Sequence, residues 1–344
     1  MPAPHGRPPR KRNPPSRWTV EALLELGRSY QGATVLGAAA DLDVFTALAA
    51  GPRTAADLAR ELACDLRGLS TLLDALAALR LLQKDGAVYT LPDGLAATLT
   101  PAGPQSILAM CQHQAHCLRN WAQLARVVKT GRPADPLPGV RGETGQQEAF
   151  IGAMHNISAP QADRVIAAVQ PLVFERLLDI GGASGTWTIA FLRACPAARA
   201  TLFDLPHVIP MARRRLAEAG LAQRVELVAG DFYADPLPRG ADLAWVSAIV
   251  HQNSRAQNRE LFGKVFAALV PGGRVAVRDV LMEPERTRPV AGALFAVNML
   301  VATPGGGTFT FAELEADLQS AGFVQAACVR QDEAMNSVVV ARRP

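Results

Sequence analysis

The chain has 344 residues, 49% of them hydrophobic, which is enough apolar material for two cores. Of its formal net charge of +4, Arg7, Arg10, Lys11, Arg12 and Arg17 contribute five positive charges, so the remainder is near −1. Such a remainder offers no general attraction to nucleic acid or a membrane surface. Since no run of about 20 apolar residues and no secretory signal is present, we expect a cytoplasmic protein.

The amino-terminal part divides into a tail and a small domain. Residues 1–16 are rich in Pro and Arg and lack apolar periodicity, which predicts a disordered basic tail. Over 17–103, apolar residues at helical spacing predict short helices, one of them capped by Thr54. Asp85-Gly86 lies between alternating apolar residues and predicts a hairpin. Helices followed by a small hairpin indicate a winged helix.

The second helix of this winged helix would have to present Arg or Lys if it read DNA. Residues 67–76 are mostly apolar instead. This composition favours packing or dimerisation, and we expect no nucleic-acid partner.

A helical region over 104–170 connects the two predicted domains. It contains a long helical stretch at 105–130, a crossing rich in Pro and Gly at 131–145, and a further helix at 146–169. The first stretch includes His113, His116 and Cys117, which suggests a metal site. Ligands on one continuous helix cannot converge on a tetrahedral ion, so we expect no metal.

From residue 171 to 344 the pattern changes to short apolar strands that alternate with helical segments. This alternation is typical of a doubly wound, mostly parallel α/β sheet. The predicted parallel strands are 177–180, 199–203, 225–228, 243–246 and 274–280. The last two, 324–330 and 337–341, predict an antiparallel hairpin at the sheet edge.

The first of these strands ends at Asp179 and continues into a loop that contains Gly181, Gly182 and Gly185. Glycines allow backbone to approach a ligand closely, and ligands of such sheets bind at the carboxyl ends of the strands. Glycine-rich loops also occur for packing alone, so this loop by itself indicates only a ligand near the first strand.

The next two strands indicate what kind of ligand binds. The second strand ends at Asp204, where an acid can accept hydrogen bonds from both ribose hydroxyls. The third is followed by Gly230-Asp231-Phe232, a carboxylate beside an aromatic ring, which suits the amino group and ring of adenine. Together they predict a nucleoside. The Gly-Gly-x-x-Gly spacing differs from the GxGxxG pattern of dinucleotide-binding loops.

With these motifs in this order, the chain resembles the class I S-adenosylmethionine (SAM) dependent methyltransferases. More narrowly, from about residue 20 to the end, it resembles the O-methyltransferase family that includes plant caffeic acid and bacterial polyketide O-methyltransferases, which has a winged-helix dimerisation domain. The supporting segments are 178–182, 203–206, 224–232, 269–274 and 321–323.

The resemblance implies a homodimer, SAM as cofactor, and an activity typical of secondary metabolism. The implied cofactor-binding residues are Asp179, Gly181, Gly182, Gly185, Asp204, Leu205, Gly230, Asp231, Phe232 and Ser247. It also implies His251 as the general base that removes the proton of an acceptor hydroxyl, and Asp279, 28 residues later, as the acid that orients it. The implied substrate-binding residues are His113, His116, Phe150, Met154, His155, Phe295, Asn298 and Met299.

Two departures from the family pattern concern the base. The usual His-Asp-Trp stretch is His251-Gln252-Asn253 here, and Thr308 stands where a second acid is expected. These departures leave open a transfer that depends more on proximity and alignment. They also leave two alternatives: a carbon or nitrogen acceptor, including a tetrapyrrole, or a catalytically silent winged-helix regulator.

Overall fold

The computed structural model describes residues 18–169, 171 and 173–344, so the predicted tail at 1–16 lies outside the described residues. Within these residues, no helix combines the length and the apolar character needed to cross a membrane.

The amino-terminal helices are α1 (Val20–Arg28), α2 (Tyr30–Asp41), α3 (Val44–Ala49), α4 (Ala55–Glu61), α5 (Leu66–Ala78) and α6 (Asp93–Leu99). The strands β1 (Arg53–Thr54), β2 (Gln83–Asp85) and β3 (Val88–Thr90) form an antiparallel sheet in the order β1-β3-β2.

Local sequence signals explain this small domain. The Thr54 side chain accepts a hydrogen bond from the backbone N–H of Asp57 and begins α4. The hairpin of β2 and β3 turns at Gly86, whose φ of 55° falls in the left-handed region that glycine tolerates. Leu58, Leu73 and other apolar side chains of these helices form one buried core.

The connecting region is more broken than its periodicity predicts. It contains α7 (Leu108–Trp121), α8 (Leu124–Thr130), α9 (Gly142–Ser158) and α10 (Ala162–Ile166). The predicted helix at 105–130 is therefore two helices, and the one at 146–169 starts earlier and is interrupted by a 3₁₀ turn at Ala159–Gln161. Pro160 lies in that turn and lacks the N–H that a continuous helix requires.

The carboxyl-terminal part is a seven-stranded sheet, which confirms the predicted fold class. Its strands are β4 (Arg176–Ile180), β5 (Arg199–Asp204), β6 (Val225–Ala229), β7 (Ala241–Ser247), β8 (Leu269–Asp279), β11 (Val324–Arg330) and β12 (Ser337–Arg342). The order is β11-β12-β8-β7-β4-β5-β6, and only the pairs made by β12 are antiparallel. A separate short parallel pair is formed by β9 (Leu281–Met282) and β10 (Phe309–Thr310).

Helices cover both faces of this sheet. They are α11 (Thr186–Ala194), α12 (Ile209–Glu218), α13 (Arg255–Ala268) and α15 (Phe311–Ser320), whereas α14 (Val290–Ala302) packs against α7 and α8. Because side chains alternate along a strand, Leu178 and Ile180 pack in one core with α13, whereas Leu177 packs in another with Trp187 of α11. The carboxyl ends of β4 to β8 consequently meet at one edge, where the predicted functional residues lie.

Candidate active site

The loop between β4 and α11 excludes side chains at two glycines. Gly181 has φ +65°, and a Cβ atom there would lie 2.7 Å from Cδ1 of Ile249 and 3.8 Å from the ring of Phe232. A Cβ atom on Gly182 would lie 2.6 Å from Cγ of Leu202. The loop thus brings its backbone beside the ends of the neighbouring strands.

Asp179 lies beneath this loop. Its side chain is 1% exposed, and Oδ2 accepts a hydrogen bond of 2.5 Å from the hydroxyl of Thr188. Burial raises the pKa of Asp179 to about 7. The bond joins the end of β4 to α11, which begins after Gly185 (φ 82°), so Asp179 supports the loop from within the protein.

Asp204, at the end of β5, organises the same loop from the other side. Its Oδ2 accepts from the N–H of Ala183 and its Oδ1 from the N–H of Leu205, both at 2.7 Å. Burial raises the pKa of Asp204, and these two backbone bonds oppose the rise. Each oxygen keeps a further lone pair, so the carboxylate fits the two hydroxyls of a ribose.

The turn after β6 presents the second predicted carboxylate. Asp231 accepts the N–H of Tyr233 at 2.8 Å through Oδ1, which leaves Oδ2 available to a ligand donor such as an amino group. Gly230 is required before it, because a Cβ there would lie 2.5 Å from the ring of Phe203. The ring centres of Phe232 and Tyr233 lie 4.5 Å apart with their planes tilted by 51°, and Phe232 offers an apolar face.

Lys264 of α13 holds this turn, although no sequence motif indicated it. Its Nζ donates to the carbonyl oxygens of Phe232, Tyr233 and Asp235 at 2.8, 2.8 and 3.0 Å. The ammonium group satisfies all three of its donors in this way. The turn is therefore fixed in its shape by a neighbouring helix.

Ser247, at the end of β7, is bonded to an arginine that the sequence did not single out. Nη1 of Arg278 donates to the Ser247 hydroxyl at 3.0 Å, and Nε and Nη2 donate to Asn336. Burial lowers the pKa of Arg278 to about 10, and its guanidinium lies 4.5 Å from the ring centre of Trp187. Since the Ser247 oxygen accepts from Arg278, its own proton is available to a ligand.

His251 and Asp279 form a buried pair. His251 lies in a 3₁₀ turn after β7, and its Nδ1 is 2.9 and 3.0 Å from the two carboxylate oxygens of Asp279 at the end of β8. A carboxylate can only accept, so Nδ1 donates and Nε2 of the neutral ring is the basic nitrogen. The N–H of Val280 also donates to Asp279 at 2.8 Å and holds the carboxylate in place.

Helices α7, α9 and α14 carry the predicted substrate-binding residues, and contacts join α7 to each of the other two. Phe295 of α14 contacts the His251 ring edge-to-face at 4.8 Å. One turn later Asn298 accepts a 2.8 Å hydrogen bond from Nε1 of Trp121 in α7. Met299 is 6% exposed, and Met154 in α9 is partly buried. The bond between Trp121 and Asn298 joins α7 to α14, and the contact between Phe295 and His251 joins α14 to the carboxyl edge of the sheet.

The histidines of α7 lie in an environment that keeps them neutral. His113 contacts Phe150 of α9 at 5.3 Å, and its Nε2 is 3.5 Å from Sγ of Cys117. Burial lowers the pKa of His113 to about 4, and burial also lowers that of His116.

His155 is placed differently from the other predicted substrate residues. Its Nδ1 is 2.8 Å from Oγ1 of Thr186, the first residue of α11, and its Nε2 is bonded to Arg215 of α12. Burial, together with the Arg215 charge, lowers the pKa of His155 to about 4. Both ring nitrogens are therefore occupied within the sheet domain, and neither is available to an acceptor.

Comparison with known proteins agrees with this geometry. A family model described as an O-methyltransferase domain matches residues 121–324, and one described as an O-methyltransferase dimerisation domain matches residues 24–101. Together the two matches include the amino-terminal sheet and nearly all of its helices, helices α9 and α14, and the edge of the large sheet where the candidate site lies.

Individual relatives cover nearly the whole chain. The 3-hydroxy-5-methyl-1-naphthoate 3-O-methyltransferase of Streptomyces sahachiroi is 32% identical, over 92% of this chain and 93% of its own. Human N-acetylserotonin methyltransferase in complex with SAM superposes with a TM-score of 0.79, at 26% identity, over 96% and 99% of the two chains. The N,N-8-amino-8-demethyl-D-riboflavin dimethyltransferase of Streptomyces davawensis superposes with a TM-score of 0.76, at 27% identity, over 95% of this chain and 100% of its own.

Proposed function

Because the chain belongs to the SAM-dependent O-methyltransferase family, we propose that it methylates a hydroxyl of a small aromatic or polyketide-like metabolite, with His251 as the general base and Asp279 as the residue that orients it. The observation that supports this most directly is the buried bond from Nδ1 of His251 to Asp279, because it leaves Nε2 as the proton acceptor.

The residues around the cofactor position would hold SAM in distinct ways. In this proposal Asp204 accepts from the ribose, Asp231 with Phe232 contacts adenine, and the backbone at Gly181 lies against the methionine part. When bound, SAM supplies a methyl group on a positively charged sulfur and becomes a neutral thioether once the acceptor oxygen has taken that methyl. The chain's part is to align the acceptor and to receive its hydroxyl proton on His251.

In this proposal Asp279 stabilises the positively charged form of His251 that results when the ring receives the hydroxyl proton. Its carboxylate is 3% exposed and lies in hydrogen-bond contact with Nδ1, so it stabilises the positive ring in a site with little water. Phe295 packs against the same ring and limits its rotation. Neutral His113 and the bonded pair of Trp121 and Asn298 line the acceptor side.

The test is to incubate the protein with methyl-labelled SAM and three matched aromatic compounds: a 3-hydroxy-1-naphthoate, its 3-amino analogue and its 3-deoxy analogue. We expect label on the oxygen of the hydroxy compound, located by mass spectrometry and NMR, and none in the deoxy compound. Label on nitrogen or carbon would favour the alternative acceptors. SAM binding without transfer to any phenol of a wider panel would contradict the proposed activity.

We also propose that the protein is a homodimer joined through its amino-terminal domain. Helix α1 has no buried residue, and apolar side chains along it and beside it are more than half exposed: Trp18, Val20, Leu23, Leu24, Leu26 and Tyr30. These side chains would lose water contact against a second copy. The match to a dimerisation-domain model supports this partner.

Two charges placed on α1 should separate the dimer. For the double variant Leu23→Glu with Leu26→Glu we expect a mass near the 36.5 kDa of one chain, against twice that value for the unaltered protein, by light scattering after gel filtration. Val329→Glu, an exposed apolar position on β11, is the matched control and should remain dimeric. A dimer that survives both glutamates at micromolar concentration would exclude α1 from the interface.

A further inference from the structure

Asn253, at the position where the family usually has Trp, is completely buried and hydrogen-bonded. Its Oδ1 accepts a 2.5 Å bond from the hydroxyl of Tyr233, and its Nδ2 donates at 3.0 Å to Oδ1 of Asn258. Asn258, also completely buried, donates from Nδ2 to the carbonyl oxygen of Val250 at 3.0 Å. This Tyr233–Asn253–Asn258 chain ends on the peptide group that precedes His251.

The direction of all three bonds follows from their last acceptor. A carbonyl oxygen cannot donate, so Asn258 must turn its amide nitrogen to Val250 and its oxygen to Asn253. Asn253 must then donate to Asn258, which leaves its own oxygen for Tyr233. Tyr233 has to donate, and its hydroxyl is protonated at neutral pH. Each bond thus depends on the one before it.

The two ends of the chain belong to different parts of the site. Tyr233 follows Asp231 and Phe232 in the turn after β6, which Lys264 of α13 holds by three carbonyl groups. Val250 belongs to the 3₁₀ turn of the proposed base, and Asn258 also belongs to α13. A shift of the turn after β6 relative to α13 would therefore strain or break the chain and loosen the backbone at His251.

We propose that Tyr233 is a positioning residue for His251, and that the Tyr233–Asn253–Asn258 chain links occupancy of the turn after β6 to the placement of that histidine. The inference rests on the proposed role of His251 as base. Coupling between two sites is reciprocal in binding free energy, so a ligand on the turn and an ordered His251 favour each other. The unusual Asn253 is thereby part of the link between the cofactor side and the base.

The test compares Tyr233→Phe and Asn258→Asp with the unaltered full-length protein, using S-adenosylhomocysteine as the probe. Tyr233→Phe removes the first donor, and Asn258→Asp cannot donate to Val250. For each variant we expect kcat to fall at least tenfold while the Kd of the probe changes less than threefold.

A second measurement uses NMR. With ¹³Cε1-labelled histidine, six side chains give NMR signals, and His251→Gln identifies that of residue 251. The shift that the probe induces in that signal should disappear.

Tyr89→Phe is the matched control, since the Tyr89 hydroxyl donates to Asp74 at 2.7 Å in the amino-terminal domain. It should retain both kcat and the probe-induced shift. If Tyr233→Phe or Asn258→Asp folds and behaves like this control, the proposal is wrong. It is also wrong if the Kd of the probe rises more than tenfold in parallel with the loss of kcat, because the chain then serves only the cofactor site. Failure of the proposed function itself is seen separately, as full turnover in His251→Ala.

Discussion

Replacing His251 by alanine is expected to lower kcat by about 10²–10⁴-fold, the range that a positioned general base contributes. The structure supplies the reason: Nδ1 is committed to Asp279, and Nε2 is the basic nitrogen of a ring held by Phe295. The affinity for S-adenosylhomocysteine, measured by calorimetry, should stay within a few-fold, because no hydrogen bond of the His251 ring supports the glycine loop. Steady-state kinetics on an identified acceptor give kcat.

Two further variants test the orientation of the base and the specificity of the effect. Asp279→Asn keeps the ring but removes the carboxylate that fixes the tautomer of His251 and stabilises its charged form, so we expect kcat to fall by as much as about 10⁴-fold. His207→Ala removes an exposed histidine that takes no part in the proposed proton transfer and should leave kcat within twofold. Retention of more than a tenth of the turnover by His251→Ala would show that proximity and alignment, rather than base catalysis, account for most of the rate.

Replacing Asp204 by alanine should raise the Kd of S-adenosylhomocysteine by at least 30-fold. The change removes the proposed ribose acceptor and also the partners of two backbone N–H groups, at Ala183 and Leu205. An N–H left without a partner costs about 1–3 kcal/mol, and two of them are enough to distort the glycine loop. Titration calorimetry gives the Kd, and thermal unfolding shows whether the fold is retained.

Asp242→Ala is the matched control for this effect. Asp242 also accepts two backbone N–H bonds, from Glu175 and Arg176 at 2.8 Å each, but at the opposite end of the sheet. It should lower the melting temperature without changing the Kd. An Asp204→Ala protein that binds the probe as tightly as the unaltered protein would remove Asp204 from the cofactor site.

Much of the fold follows from local pattern. The strands β4 to β8 were predictable because short apolar runs alternate with helical segments, and parallel strands place their carboxyl ends together. The division of the predicted helix at 105–130 into α7 and α8 was not predictable, because no Gly or Pro immediately follows Trp121, where α7 ends. The interruption at Pro160 was visible in the sequence, but apolar periodicity on both sides outweighed it in the prediction.

The candidate site divides in the same way. Asp204 and Asp231 were predicted because they lie at or just after the end of a strand, and His251 because of the family resemblance; the roles of all three stay predictions that the variants test. Arg278 and Lys264 could not be found, since their partners lie 29 or more positions away and are defined only by packing. His155 was expected beside the acceptor, and only the approach of α11 and α12 shows that its ring is already bonded.

The placement of β12 connects the carboxyl-terminal hairpin to Asp279. β12 pairs with β8 from Ser337↔Asp279 to Arg342↔Arg274, and β11 covers its other side. If this terminal hairpin frays, β8 becomes the border of the sheet, and the carboxylate at its end loses the neighbour that shields it from water. We therefore expect local unfolding of residues 324–342 to expose Asp279 to water.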